Sequence, residues 1–76
     1  MFRYRIRLDT GKEVQDFVNR CSKGFGKVVL EGVDEDGTQC TVSAHSLIGA
    51  MYAMQWDAIY CLSDHEIYHE IKDYVL

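Results

Sequence analysis

Residues 65–69 read His-Glu-Ile-Tyr-His, the H-E-x-x-H spacing. On a helix it turns two imidazoles to one face for zinc and leaves the glutamate as general base of a peptidase. The face holding His65 and His69 lies roughly opposite Ile67 and Ile71, so the spacing predicts a pair turned to water. A catalytic zinc also needs a third protein ligand and an open position for water. Only Glu70 to Leu76 follow His69, with no further histidine, and the glycine that extends the motif in one peptidase family is replaced. His45 is not placed near the pair by any pattern. The segment therefore reads as a polar helix face that spells the motif by accident, with at most incidental uptake of a transition metal.

The other chemistry-bearing residues point the same way. Cys21, Cys40 and Cys61 are odd in number, widely spaced and form no C-x-x-C pair. They predict reduced thiols acting as small apolar side chains, not a zinc framework or a disulfide scaffold. Arg3, Arg5 and Arg7 recur at period 2, as one solvated face of a strand would. The formal charge is −4, with twelve acidic against eight basic residues, which excludes the usual balance of a nucleic-acid binder. No apolar run approaches membrane-spanning length, and the N-terminus alternates charge with hydrophobe, so a cytoplasmic protein without membrane partner is expected. No metal or cofactor is implied.

The elements that would position these residues follow from periodicity. Seventy-six residues, 47% hydrophobic and 26% charged, bound one globular domain over 1–76. Residues 2–8 alternate strictly, with Phe2, Tyr4, Ile6 and Leu8 on one face of a strand. After a turn at residues 9–12, Val14, Phe17, Val18 and Cys21 predict an amphipathic helix over 13–23. Two strands, 27–33 and 38–44, flank an acidic turn closing on Gly37, and the second puts Cys40, Val42 and Ala44 on one face. Ser46 is expected to cap a helix bearing Leu47, Ile48, Met51 and Met54, worth roughly 1 kcal/mol. A fourth strand over 56–62 is expected to turn Ala58, Tyr60 and Leu62 inward. Ser63-x-x-Glu66 then predicts a capping box opening a helix with Ile67, Ile71, Tyr74 and Val75 inside. The order β-α-β-β-α-β-α is an α+β, two-layer open-faced sandwich. It has four mainly antiparallel strands and three helices on one face.

Within that order, residues 41–54, "TVSAHSLIGAMYAM", resemble the regulatory segment of the histidine-containing phosphocarrier (HPr) family of the bacterial sugar phosphotransferase system. A strand there runs into a lysine-serine pair and a helix of the form S-[IL]-[MI]-G-[VA]-M. His45-Ser46-Leu47-Ile48-Gly49-Ala50-Met51 matches it, with His45 in the lysine's place. The element order agrees along nearly the whole chain, and residues 21–37 look like the family's link from first helix to hairpin. The resemblance implies an HPr-like fold, a regulatory phosphorylation site at Ser46 and a partner-docking patch at Leu47, Ile48 and Met51.

The family's phosphoryl-accepting motif, G-[IL]-H-A-R-P before the first helix, is replaced by Thr10-Gly11-Lys12-Glu13-Val14, and no histidine precedes His45. A carrier needs a neutral imidazole as nucleophile, and helix amides and an arginine to hold the anion. Glu13 puts negative charge there instead. The expectation is a non-catalytic interaction or regulatory module, not an enzyme, whose partners are proteins of the phosphotransferase system or its regulation. The alternative is a genuine phosphocarrier with a different acceptor or regulated at Ser46.

Overall fold

The computed structural model describes residues 1–47 and 52–76, with Tyr52 described by its backbone alone. Its elements are β1 (Phe2–Ile6), α1 (Gly11–Cys21), β2 (Val28–Val33), β3 (Gln39–Ser43), a 3-10 turn (Ala44–Leu47), α2 (Tyr52–Gln55), β4 (Ala58–Ser63) and α3 (Tyr68–Ile71). The strands form one four-stranded sheet in the order β1-β4-β2-β3, and all three pairings are antiparallel. Of the segment expected to be one helix from Ser46 onward, the described residues show the 3-10 turn up to Leu47 and α2 from Tyr52. Ile48 and Met51 lie outside the described residues.

α1 starts two residues earlier than its apolar stripe predicts, because Thr10 caps it. The Thr10 hydroxyl accepts from the Glu13 amide at 3.1 Å, and the Glu13 carboxylate reaches back to the Asp9 amide at 3.4 Å. This pairing satisfies amide groups that the first helical turn otherwise leaves without partners. The β2–β3 hairpin closes through Asp34, whose carboxylate accepts from the amides of Asp36 and Thr38 at 3.0 and 2.8 Å. Gly37 sits at φ +81°, a conformation that a Cβ disfavours, and completes the turn.

Val14, Phe17, Val18 and Cys21 of α1 are buried together with Ile6, Val28, Leu30, Ile59 and Cys61 of the strands, Leu8 just past β1, and Ile67, Ile71 and Tyr74 of the C-terminal segment. The helical elements thus cover one face of the sheet. The other face presents a grid fixed by the register: Arg3, Leu62, Val29 and Ser43 in one row, and Arg5, Tyr60, Glu31 and Thr41 in the next. Arg3 crosses this face. Its guanidinium lies 4.1 Å from the Tyr60 ring centre and 3.1 Å from the Glu31 carboxylate, so its stem and head shield the ring from water.

Two expectations about phase are corrected. In β4 it is Ile59, Cys61 and Ser63 that face the core, while Ala58, Tyr60 and Leu62 are half-buried on the arginine face. The strand is apolar on both sides, so alternation could not choose; pairing with β1 chose. The Ser63-x-x-Glu66 box also fails to form. Ser63 ends β4 and accepts from the His65 amide at 3.1 Å, and α3 is one turn with no side-chain cap. Ile67, Ile71 and Tyr74 are buried as expected, and Val75 bridges to Ile6 beside β1.

Candidate functional site

The N-terminus of α1 is where the HPr resemblance would place phosphoryl chemistry. In this chain the Thr10 hydroxyl and the Glu13 carboxylate fill it, 3.5 Å from each other. The Glu13 amide of the first turn therefore already has the Thr10 hydroxyl as acceptor, and the Glu13 carboxylate, bonded to the Asp9 amide, stands at the helix start. Arg7 is the arginine nearest in sequence, and it pairs with Asp9 at 2.8 Å. An incoming phosphoryl group would meet a carboxylate where the carrier chemistry needs a cation.

α1 packs against the 3-10 turn that carries Ser46. There the hydroxyls of Ser43 and Ser46 lie 2.8 Å apart, and the Ser46 amide donates to the Ser43 hydroxyl at 3.3 Å. The local cap is thus provided by Ser43, with Ser46 inside the turn; the expectation of Ser46 as the residue just before a helix is corrected. Ser46 is exposed and Leu47 is fully buried. Leu47 therefore anchors the turn in the core and offers no side-chain surface to a partner. A residue at the base of a turn stacked on α1 has nowhere else to put four apolar carbons.

The H-E-x-x-H residues are separated by the fold. His65 lies on a bend before α3 and His69 within it, so the two imidazoles do not share a helix face. His65 packs over Gly26, where an added Cβ would come within 2.4 Å of the ring. His69 stands edge-on to Tyr68, with ring centres 5.8 Å apart. Glu66 accepts from the Tyr4 hydroxyl at 3.1 Å and from the Tyr68 amide. It is a structural acceptor, and its proximity together with burial pushes the Tyr4 hydroxyl above its ordinary range, burial being the larger cause. Among the described residues, no group of three histidine, cysteine or carboxylate side chains is placed to hold a metal.

Cys21 and Cys61 are buried, and burial pushes each thiol up to about 12. Such thiols are inert at neutral pH. Cys40 departs from the sequence expectation: it is exposed on β3, beyond the reach of the helix layer.

Periodicity alone missed one concavity. A cleft of about 300 Å³ opens at the end of β1 and β4, with Trp56, Met54 and Ile59 as apolar wall and Arg5, Arg7 and Asp57 among its polar groups. The lone tryptophan next to Asp57 was the available signal. Trp56 is held there because its ring lies flat over Gly32 of β2.

No family model, curated protein or solved structure matches the chain. No helix among the described residues is long and apolar enough to cross a membrane.

Proposed function

We propose that this protein is a non-catalytic interaction or regulatory module of the kind implied by its resemblance to the HPr family, binding a protein partner through the segment that starts at Ser46. The observation that supports this reading most is the closed N-terminus of α1. Thr10 takes the Glu13 amide, and the Glu13 carboxylate lies beside it where a phosphohistidine would need a cation. Loss of the acceptor beside a retained regulatory segment is the pattern of a module that is recognised but does not transfer. In this reading Leu47 anchors the docking turn, and Ile48 and Met51 supply its apolar contacts. The partners are cytoplasmic proteins of the phosphotransferase system or its regulation.

Incubation with phosphoenolpyruvate and the first enzyme of that system, followed by intact-mass measurement, tests the reading. No adduct is expected. A stoichiometric, acid-labile phosphoryl adduct would refute it and favour a carrier with a different acceptor.

The exposed hydroxyl of Ser46 favours one addition, regulatory phosphorylation at that position. A phosphate there brings close to two negative charges into a turn packed on α1, enough to alter docking. ATP-dependent labelling by the family's serine kinase is expected in the native protein and not in Ser46→Ala. Equal labelling of both would dismiss Ser46 as the site.

A further inference from the structure

The two edges of the sheet are treated differently by the sequence. On the outer edge of β1 the Arg7 amide donates to the Tyr74 carbonyl and the Leu76 amide donates to the Arg5 carbonyl, both at 2.9 Å, and Val75 bridges to Ile6. The same strand carries Arg3 and Arg5. Covering chain and like charges are the usual protections of an edge. Among the described residues, β3, Gln-Cys-Thr-Val-Ser over residues 39–43, has neither protection: no charge, no proline, and four of its five residues exposed. Among the described residues it pairs with β2 alone.

Its hydrogen-bonding phase can be read from the hairpin. The Asp34 amide donates to the Thr38 carbonyl at 3.1 Å, so Cys40 and Val42 exchange backbone bonds with Gly32 and Leu30 of β2. The amides and carbonyls of Gln39 and Thr41 and the amide of Ser43 consequently point to the outer edge, while the Ser43 carbonyl opens the 3-10 turn.

We propose that this edge pairs with β3 of a second copy of the chain, antiparallel about a two-fold axis through Thr41. Gln39 then faces Ser43 of the second copy, Thr41 faces Thr41, and backbone bonds run both ways between the two Thr41 residues and from each Ser43 amide to the opposite Gln39 carbonyl. Side chains match by kind. Cys40 lies beside Val42 of the second copy on the helix side, and hydroxyl and amide side chains meet on the open side, pairs that sheets favour. No like charges meet, whereas self-pairing of β1 would set arginine against arginine. Carried past the strand, the same register brings the acidic turn Asp34–Asp36 toward His45 of the second copy. The product is an eight-stranded sheet with both helix layers on one side. A five-residue edge buries far less than the roughly 800 Å² per partner of a stable complex, so the dimer is weak and forms at high protein concentration. This association is independent of the docking role proposed for the Ser46 segment.

Sedimentation of the whole chain from micromolar to millimolar concentration tests it. The native protein is expected to pass from monomer to dimer. Thr41→Pro removes an edge-facing amide without touching a β2 bond, and Thr41→Lys sets two ammonium groups opposite each other at the axis. Each is expected to weaken the dimer at least about tenfold. If Thr41→Pro fails to fold, Thr41→Lys, whose side chain lies on the open face, still decides. A bis-maleimide spanning about 8 Å should join Cys40 to Cys40, since the two sit on the diagonal of adjacent pairs. A protein that stays monomeric throughout, a dimer that Thr41→Lys leaves intact, or a dimer that Cys40 cannot cross-link would each overturn the proposal.

Discussion

Gly32→Ala is the sharpest test of how β2 and the cleft are built. Gly32 is buried in the middle of the sheet, and a Cβ there would lie 1.8, 2.1 and 2.2 Å from three atoms of the Trp56 indole. Ordinary carbon contacts begin near 3.5 Å, so the ring must withdraw by well over 1 Å, and a flat ring on a strand can do so only by tilting away. A buried aromatic side chain hides about 150–250 Å², and Trp56 is half-buried, so tilting re-exposes on the order of 100 Å². At about 25 cal/mol per Å² this amounts to about 2.5 kcal/mol. A domain of this size has a total stability of roughly 4–11 kcal/mol, so the melting temperature should fall by about 10–20 °C. Trp56 is the sole tryptophan, so its emission reports the same event directly: a red shift in native buffer, together with a lower urea midpoint. In a Trp56→Leu background the smaller side chain leaves room for the methyl, and the added cost of Gly32→Ala should shrink below about 1 kcal/mol. A Gly32→Ala protein within 0.5 kcal/mol of the native one, with unchanged emission, would refute the stacking of Trp56 on Gly32.

Three further outcomes are expected. Thr10→Ala removes the hydroxyl that caps α1 and should cost about 1 kcal/mol in chemical denaturation, with α1 amides exchanging faster at its first turn. Iodoacetamide at neutral pH should alkylate one thiol per folded chain, Cys40, and three only after unfolding, as read by intact mass. The alkaline limb of stability follows from the buried thiols. Their folded values, about 12, stand above the ordinary 9.0, so above pH 9 the unfolded chain releases protons that the folded chain keeps. Stability is therefore complete below pH 9 and falls as pH rises toward 12, and Cys61→Ala should flatten that fall in a pH series of urea midpoints.

Much of the molecule is written in its local patterns. The alternation of residues 2–8, whose strand ends at Ile6 and leaves Phe2 exposed, the Val14-Phe17-Val18-Cys21 stripe and the acidic turn before Gly37 each mark an element. They do so because a strand or helix with one polar side has only one way to bury the other. The H-E-x-x-H spacing put both imidazoles on one helix face, whereas the fold leaves His65 on a bend and only His69 in α3. What the letters did not reveal is that Thr10 and Glu13 form the cap while Ser63 and Glu66, equally well spaced, do not. Ser63 is paired with Phe2 and Val28 as the last residue of β4, its hydroxyl is taken by the His65 amide, and the helix begins only at Tyr68, too far on for a box with Glu66.

Tertiary structure alone decided the rest. β4 is apolar on both faces, so only its register against β1 and β2 could choose Ile59 and Cys61 for the core over Tyr60 and Leu62. Leu47 reads equally well as a docking residue or a core residue until α1 packs over it. Cys40 shares its periodicity with Val42 and Ala44, yet it stays wet because the helix layer ends before the edge strand does. Element type is set by neighbours a few residues away along the chain. Which of two apolar faces turns inward, and which edge is left open, is set by partners tens of residues distant, and those are chosen only when the whole sheet closes.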